Sequence, residues 1–177
     1  MTWQPKLSTE CVELRALTRA DEAALTQAAG DPLIWEQHPQ PTRYLPEVFA
    51  TFFADALASG GALAVIERKS GAMIGSSRFY NPCLATSSVE IGYSFLTRAF
   101  WGKEYNRQVK ALMLDYAFTL VEQAWFVVGM DNRRSRRAME KLGATLWMDP
   151  SAPQVIDNLE GRVVYGIHRE DWARLRV

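Results

Sequence analysis

The stretch that decides the fold is "VEIGYSFLTRAFWGKEYNRQVKALMLDYAF", residues 89–118. Residues 89–96 alternate strictly between two sets of side chains, which is typical of a β-strand. The next loop runs into a helix that ends near Val121, and the apolar run "AWFVVGM" (124–130) predicts a strand covered on both faces. A strand, a helix and a second strand in this order predict a crossover connection and a parallel strand pair.

The first strand and the helix each have two predicted faces. On the strand, the apolar face carries Val89, Ile91, Tyr93 and Phe95, and the opposite face carries Glu90, Gly92 and Ser94. On the helix, the predicted core face carries Tyr105, Val109, Leu112, Met113, Tyr116 and Leu120. Glu104 and Arg107 are predicted to lie together on the exposed side of the helix.

The remaining sequence predicts hairpins and helices around this unit. Further strands are predicted at 11–17, 62–68, 73–80, 144–149 and 162–168, with the last two as an antiparallel pair. Further helices are predicted at 18–30, 46–61 and 131–143, with a helical turn at 169–175. We therefore predict an α/β (α+β) fold with a mixed, mainly antiparallel twisted sheet of about six to seven strands and about four flanking helices. No repeat or linker divides the chain, so a single domain over 1–177 is expected.

Composition and charge narrow the classes of function. The chain has 177 residues, 48% of them apolar and 23% charged, which suits one packed domain. Lysine and arginine together number 20, as do aspartate and glutamate, so the net charge predicts neither a nucleic-acid partner nor a membrane partner. No membrane-spanning run or signal peptide is recognised, and a cytoplasmic location is expected.

The chain has two cysteines, Cys11 and Cys83, and two histidines. The cysteines lack the spacing of a zinc site, so no bound metal is expected. A single disulfide between them is left open by the sequence.

The start of the helix after Trp101 has two interpretations. In the first, Glu104 interacts favourably with the helix dipole and pairs with Arg107, as on an ordinary surface helix. In the second, the first N–H groups of the helix, which have no intrahelical partners, bind a phosphate. An outward-pointing Glu104 opposes such binding by only about 1 kcal/mol, against ~1.5–3 kcal/mol for each charge-assisted bond. Glu104 therefore does not exclude a phosphate site.

Residues 89–118 and the later stretch "VVGMDNRRSRRAMEKLGA" (127–144) resemble the GNAT N-acetyltransferase superfamily, and more narrowly its branch of ribosomal-protein N-terminal acetyltransferases. The resemblance extends over nearly the whole chain in element order. It is most specific at Glu90–Tyr93, Trp101–Lys103 and Asn132–Gly143. It implies one acyl-CoA N-acyltransferase-like domain, in which acetyl-coenzyme A (acetyl-CoA), the donor, lies between two parallel strands that splay apart.

The resemblance also implies which residues contact the coenzyme. Its pyrophosphate is expected on the loop 101–106, where Gly102 matches the second place of the family signature. Glu104 and Asn106 depart from the signature at its fourth and sixth places. The missing fourth glycine is expected to weaken coenzyme affinity without abolishing it, because the contacts are mostly main-chain. The implied coenzyme contacts are Phe95, Leu96, Trp101, Gly102, Lys103, Glu104, Tyr105, Asn106, Asn132, Ser135 and Arg137, and no metal is implied.

Acetyl transfer to an amine needs a base and a proton donor for the departing thiolate. Glu90 is the leading candidate for the base, because an interior strand position raises the pKa of a carboxyl. Alternatively, Glu90 is hydrogen-bonded at the strand end without a catalytic role. Asn132 either caps a helix or contacts the pantetheine arm, and Ser135 is the candidate proton donor, with water as the alternative. Many family members have a tyrosine acid where this chain has Met139, which cannot donate a proton.

The acceptor pocket is expected in the irregular, proline-rich loop 31–44 and the late strands. Its candidate lining residues are Trp35, Glu36, His38 and Tyr44, with Arg43 beside them. Trp35 could instead belong to the core, and His38 could be an ordinary loop residue. The basic run "RRSRR" (133–137) is either a solvated helix face or the source of an arginine for a coenzyme phosphate.

These features lead to two hypotheses about function. The first is an acetyl-CoA-dependent N-acetyltransferase that moves the acetyl group directly onto a primary amine of a protein N-terminus, an amino acid or a small amine. The second is a non-catalytic acyl-CoA-binding or protein-interaction module on the same scaffold, which Glu104 and the absent tyrosine favour slightly. The expected partner is a small-molecule or peptide amine, and a homodimer is plausible from the resemblance alone.

Overall fold

A computed structural model of the protein describes residues 2–147 and 160–176. The strands are β1 Leu7–Ser8, β2 Val12–Ala16, β3 Ala62–Glu67, β4 Met73–Cys83, β5 Ser88–Leu96, β6 Gln123–Gly129, β7 Thr145–Leu146 and β8 Arg162–His168. The helices are α1 Glu22–Ala29, α2 Pro46–Ala58, α3 Tyr105–Ala117, α4 Arg133–Leu142 and α5 Arg169–Leu175. Short 3₁₀ turns lie at Arg19–Asp21, Pro32–Ile34 and Arg98–Phe100.

The strands form one mixed sheet in the order β1-β2-β3-β4-β5-β6-β8-β7. Every neighbouring pair is antiparallel except β5 and β6, which are parallel. The predicted fold class and the parallel pair are confirmed. The described residues contain eight strands and five helices, against about six to seven strands and about four helices predicted, because the two-residue β1 and the terminal α5 are regular elements.

The late strands pair as the sequence predicts. Thr145 lies opposite Gly166, and Leu146 lies opposite Tyr165, in an antiparallel register between β7 and β8. The last two residues of the predicted strand 144–149 lie outside the described residues.

Local signals account for where several helices begin and end. Pro46 occupies the first turn of α2, where its missing N–H has no intrahelical acceptor to lose. Asn132 caps α4 by accepting a hydrogen bond from the Ser135 backbone N–H (3.1 Å). Gly143 ends α4 with a φ of 90°, a left-handed conformation that glycine adopts without strain. The sequence interpretation of Asn132 as a cap is therefore confirmed.

The core divides into two clusters on opposite faces of the sheet. Along β3, Leu63 and Val65 belong to the cluster beneath α3 and α4, whereas Ala62 and Ala64 belong to the cluster beneath α1 and α2. Because successive side chains of a strand point to opposite faces, the two clusters lie on the two sides of the sheet. We call these sides the α3/α4 face and the α1/α2 face.

A bulge in β5 changes the predicted faces of that strand. Tyr93 has a φ of 53°, and the pairing between β4 and β5 shifts register at this point. Val89 and Ile91 pack on the α3/α4 face, but Phe95 packs on the α1/α2 face. The prediction that all four residues share one face is therefore wrong, because an extra residue in a strand inverts the alternation beyond it.

Helix α3 is rotated about its axis relative to the predicted core face. Its buried residues are Val109, Lys110, Met113, Leu114 and Ala117. The predicted core residues Tyr105, Leu112, Tyr116 and Leu120 are half-buried and pack against the edge of the core cluster, so the predicted face is correct in part and its centre is displaced. The rotation places the side chain of a lysine inside the molecule.

Two further findings concern sequence-based expectations. Both cysteines are free, so the disulfide left open by the sequence is not formed. Among the described helices, none has the length and apolar character needed to cross a bilayer.

Candidate active site

A cavity of about 560 Å³ opens where the two parallel strands part. Strands β5 and β6 pair only over Ser88–Glu90 and Gln123–Trp125, although both strands continue further. Beyond that point, residues 91–94 and 126–129 line opposite walls of the cavity. Side chains of α3, α4 and the loop 38–43 also line it, so the cavity is bordered by elements from both faces of the sheet.

The loop before α3 offers unpaired main-chain donors. Gly102 has a φ of 70°, which turns the chain sharply ahead of the helix. Within the described residues, none of the N–H groups from Gly102 to Arg107 donates a well-formed hydrogen bond. The Glu104 side chain is 69% exposed and pairs with Arg107 at 3.2 Å. The ion pair confirms the first interpretation of this helix start. It lies outside and does not occupy the N–H groups, and the phosphate site of the second interpretation stays a prediction.

Trp101 anchors this loop to the core of the protein. Its indole Nε1 donates a hydrogen bond to the Leu96 carbonyl oxygen (2.8 Å), and the Arg134 guanidinium stacks 3.9 Å from the centre of its ring. Arg134 also donates to the Ile34 carbonyl oxygen (2.8 Å). Trp101 thus joins the loop to the core, as do the buried residues Phe95 and Leu96 on β5.

The N-terminal turn of α4 forms another wall. Asn132, Ser135 and Met139 all line the cavity, with Asn132 and Met139 buried and Ser135 half-buried. Asn132 holds the backbone of this turn through its cap. Ser135 brings a hydroxyl group to the same wall of the cavity. Arg137 is exposed and does not line the cavity.

Glu90 places a carboxyl group on the cavity wall in buried surroundings. Burial raises the pKa of Glu90 from 4.5 to about 7, against the opposing influence of the Arg162 and Arg78 charges. A Cβ atom at position 92 would lie 2.9 Å from the Glu90 Oε1 atom. The absence of a side chain at Gly92 therefore makes room for the Glu90 carboxyl group.

His38 enters the same cavity from the loop between α1 and α2. Its Nδ1 accepts a hydrogen bond from the Gln40 N–H (2.9 Å), and its Nε2 lies 3.2 Å from an Arg43 nitrogen. Burial and the neighbouring Arg43 charge lower the pKa of His38 to about 4. The imidazole is thus neutral at physiological pH.

Comparisons with known proteins decide the family. The chain matches a family model described as "Acetyltransferase (GNAT) domain" over residues 12–145, which is more than half of its length. The protein belongs to the GNAT acetyltransferase family. The family resemblance stated from the sequence is therefore confirmed.

Solved structures of GNAT proteins share the fold. An acetyltransferase from Agrobacterium tumefaciens str. C58 is 28% identical, with a TM-score of 0.72, covering 93% of this chain and 95% of that one. A GCN5-related N-acetyltransferase from Brucella melitensis is 17% identical, with a TM-score of 0.82 and coverage of 98% and 82%. Mycobacterium smegmatis RimJ, solved in complex with CoA-disulfide, is 18% identical, with a TM-score of 0.73 and coverage of 99% and 96%.

The GNAT scaffold of this chain fits a coenzyme in two respects. The free N–H groups at the start of α3 suit a pyrophosphate, and the cavity beside them passes between the parallel strands. Asn106, Asn132 and Ser135 line that cavity and are the predicted coenzyme contacts that the structure brings together there. Within the described residues, no cluster of metal-ligating side chains is found.

The predicted acceptor residues are only partly brought to the cavity. His38 lines it, but Trp35 is 2% exposed and donates its indole N–H to the Ala29 carbonyl oxygen (2.8 Å). Trp35 is therefore a core residue, which corrects its assignment as a pocket wall. Glu36 is exposed and Tyr44 is half-buried beside the α1/α2 cluster, and neither lines the cavity.

Sequence reasoning missed Lys110, a buried lysine on the cavity wall. Its Nζ donates hydrogen bonds to the hydroxyls of Ser94 (2.5 Å) and Ser77 (3.3 Å). Burial lowers the pKa of Lys110 from 10.5 to about 7. One signal was available, because Val109 and Met113 flank Lys110 on the helix surface and both are apolar.

Proposed function

We propose that this GNAT protein is an acetyl-CoA-dependent N-acetyltransferase that transfers the acetyl group directly to a primary amine. The acceptor classes in view are a protein N-terminus, an amino acid and a small amine. The observation that carries the proposal is the buried Glu90 carboxyl, whose pKa lies at about 7, on the wall of a cavity next to free main-chain donors. A base with this pKa is half ionised near neutral pH, where it accepts protons efficiently.

Each part of the cavity has a role in this proposal. The N–H groups at the start of α3 and the Asn106 side chain would hold the coenzyme phosphates, and the N-terminal turn of α4 would hold its arm. Acetyl-CoA supplies the acetyl group as a thioester. The acceptor would enter from the α1/α2 face, where Glu90, His38 and Arg43 line the cavity.

The reaction balances with the groups present. The amine nitrogen forms a bond to the thioester carbonyl carbon, and its proton passes to the Glu90 carboxylate directly or through water. The carbon–sulfur bond breaks, and the thiolate takes a proton from water or from the Ser135 hydroxyl. In the second case water returns a proton to the Ser135 oxygen, and the Glu90 carboxyl releases its proton to solvent. Ser135 lies on the cavity wall, whereas Met139 on the same helix has no proton to give.

A thiol-release assay with acetyl-CoA and a broad panel of primary amines tests this function. We expect release that depends on both the amine and the protein, with an N-acetylated product identified by mass. If the protein binds the coenzyme but acetylates no amine, the enzyme proposal is wrong. The non-catalytic acyl-CoA-binding module, which Glu104 and Met139 favour, would then be supported.

The cytoplasmic location, the homodimer and the absence of nucleic-acid and membrane partners stay predictions.

A further inference from the structure

A second cavity of about 390 Å³ adjoins the first on the α1/α2 face. Helix α2 and the strands β4 and β5 enclose it, and its wall includes Phe52 and Arg78. Gln40, Arg43 and Tyr93 line both cavities. A molecule that reaches Glu90 in the first cavity therefore has room for a substituent in the second.

Arg78 is a buried cation that forms no ion pair within the part of the chain that the structure describes. It is 3% exposed, and its guanidinium stacks on Tyr93, with 4.1 Å from Cζ to the ring centre, and on Phe52 at 5.6 Å. Its Nε and Nη2 atoms are buried and have no hydrogen-bond partner among the described residues. These two N–H groups form one edge of the guanidinium fork, the geometry that binds both oxygens of a carboxylate.

Arg43 brings a second cation to the same aromatic group. Its Cζ lies 4.8 Å from the centre of the Phe52 ring and 5.3 Å from that of Trp35. Its polar contact among the described residues is the neutral His38 ring at 3.2 Å. Burial lowers the pKa of both Arg43 and Arg78, and the Arg78 charge lowers that of Arg43 further.

The acidic residues nearby compensate this charge only in part: Asp55 and Glu90 raise the pKa of Arg78 through space, but burial outweighs them, and within the described residues neither forms an ion pair with it. Glu47 and Asp55 line the second cavity, but their side chains are exposed, and within the described chain neither forms an ion pair with Arg43 or Arg78. Exposed acids are screened by water and salt more strongly than buried cations are. A buried guanidinium with unpaired donors is costly, and a carboxylate relieves that cost directly.

We propose that Arg43 and Arg78 bind a carboxylate of the acceptor, so that preferred substrates carry a primary amine and a carboxylate together. This inference rests on the proposed function. It narrows the acceptor to two sources of the same chemistry. One is the α-carboxylate of a free amino acid, and the other is the side-chain carboxylate of a peptide that begins with aspartate or glutamate.

Matched acceptor pairs test the inference on the unmodified protein. One arm compares glycine with glycinamide, and the other compares a peptide beginning with Asp with the same peptide beginning with Asn. Values of kcat/KM are expressed per concentration of unprotonated amine, because an amide lowers the pKa of its neighbouring amine. We expect the carboxylate member to be preferred at least tenfold in one arm, and that arm identifies the source.

Binding of the acetylated products keeps the test independent of turnover. Ligand-observed NMR compares N-acetylglycine with N-acetylglycinamide, and the acetylated Asp peptide with its Asn counterpart. We expect the carboxylate member of one pair to bind at least tenfold more tightly. Equal binding within both pairs would overturn the carboxylate site, whether or not any amine is acetylated. Acetylation of amines without a preference for carboxylates would overturn it as well, while the proposed function would stand.

Substitutions then assign the preference to the two arginines. In Arg78→Met and Arg43→Met we expect the acid-to-amide ratio to fall to near one, because kcat/KM for the acid falls by more than kcat/KM for the amide does. Arg19→Met, at an exposed arginine outside both cavities, serves as the matched control and should keep the ratio. Because Arg78 is buried, thermal unfolding checks that the Arg78→Met variant folds. If that variant does not fold, the Arg43→Met variant, at a half-buried position, provides the test. An unchanged ratio in the folded variants would contradict the assignment.

Discussion

Each face of the sheet buries one cation beside the opening between β5 and β6, and the two cations differ in kind. On the α3/α4 face, Lys110 donates to two serine hydroxyls, and its pKa falls to about 7. On the α1/α2 face, Arg78 has aromatic rings around it and two N–H donors that find no acceptor among the described residues. A lysine relieves burial by losing its proton, whereas an arginine stays charged in proteins. Lys110 therefore needs no bound ligand to satisfy its charge and its hydrogen bonds, whereas Arg78 needs an anion to do so.

A similar contrast separates the two halves of the cavity, which we call the donor half, proposed to bind the acetyl donor, and the acceptor half, proposed to bind the amine. The donor half offers main-chain N–H groups, which the fold sets through Gly102 and the start of α3. The acceptor half offers side chains that titrate or carry charge, among them Glu90 and Arg43. Changes on the acceptor half should thus alter chemistry and choice of substrate, and changes on the donor half should alter coenzyme affinity or stability. The following predictions test this division.

The largest effect is expected for Glu90→Gln, which removes the base but keeps the shape of the side chain. We expect kcat to fall by about 10²- to 10⁴-fold, the usual contribution of a positioned base. Coenzyme affinity, measured by calorimetry, should stay unchanged, because Glu90 belongs to the acceptor half. The exposed acid Glu22 supplies the control variant Glu22→Gln, which should retain full activity. A kcat within threefold of the unmodified protein would exclude Glu90 as the base.

The pH dependence should follow the same residue. Burial raises the pKa of Glu90 to about 7, and the base must be ionised, so kcat/KM should rise with pH through about 7. The rise in kcat/KM should keep its midpoint when acceptors with different amine pKa values are compared. A midpoint that moves with the amine would instead report ionisation of the substrate. Folding should respond in the opposite sense, because the folded carboxyl holds its proton more strongly than the unfolded one. The free energy of unfolding should fall as pH rises from about 4.5 to about 7, relative to Glu90→Gln.

A smaller and purely structural effect is expected for Lys110→Met, which replaces the buried cation with an apolar side chain of similar length. The pKa of Lys110 is about 7 in the folded state and 10.5 ordinarily, so the unfolded chain binds more protons between these values. The unmodified protein should therefore gain stability as pH rises through this window. The variant should lack that gain and be more stable below pH 7, as urea unfolding at several pH values would measure. Equal pH profiles would show that Lys110 stays charged.

The smallest effect is expected for Glu104→Gly on the donor half. The Glu104 side chain is exposed and forms no cap to the helix, so its carboxylate opposes a bound phosphate only weakly. We expect acetyl-CoA to bind equally well or up to about fivefold more tightly, corresponding to about 1 kcal/mol. Calorimetry at two salt concentrations measures this, with Arg107→Ala as the control for loss of the ion pair. A large loss of affinity would mean that Glu104 itself supports the coenzyme.

Much of the fold follows from local patterns in the sequence. The alternation of residues 89–96, the apolar run 124–130 and the helix between them predict the parallel pair, because periodicity and length are properties of each segment alone. The cap at Asn132 is read in the same way, since its acceptor and donor are three residues apart. Glu90 was recognisable as a candidate because its strand neighbours Gly92 and Ser94 are small.

The sequence by itself thus determined the order of the elements, the loop with free N–H groups and the carboxyl on β5. Only the tertiary structure decided where several side chains point: the bulge at Tyr93 moves Phe95 to the α1/α2 face, and packing puts Trp35 in the core. It also buries Lys110 and Arg78, because their partners come from distant segments. Burial and charge compensation depend on these long-range contacts, which no local pattern contains.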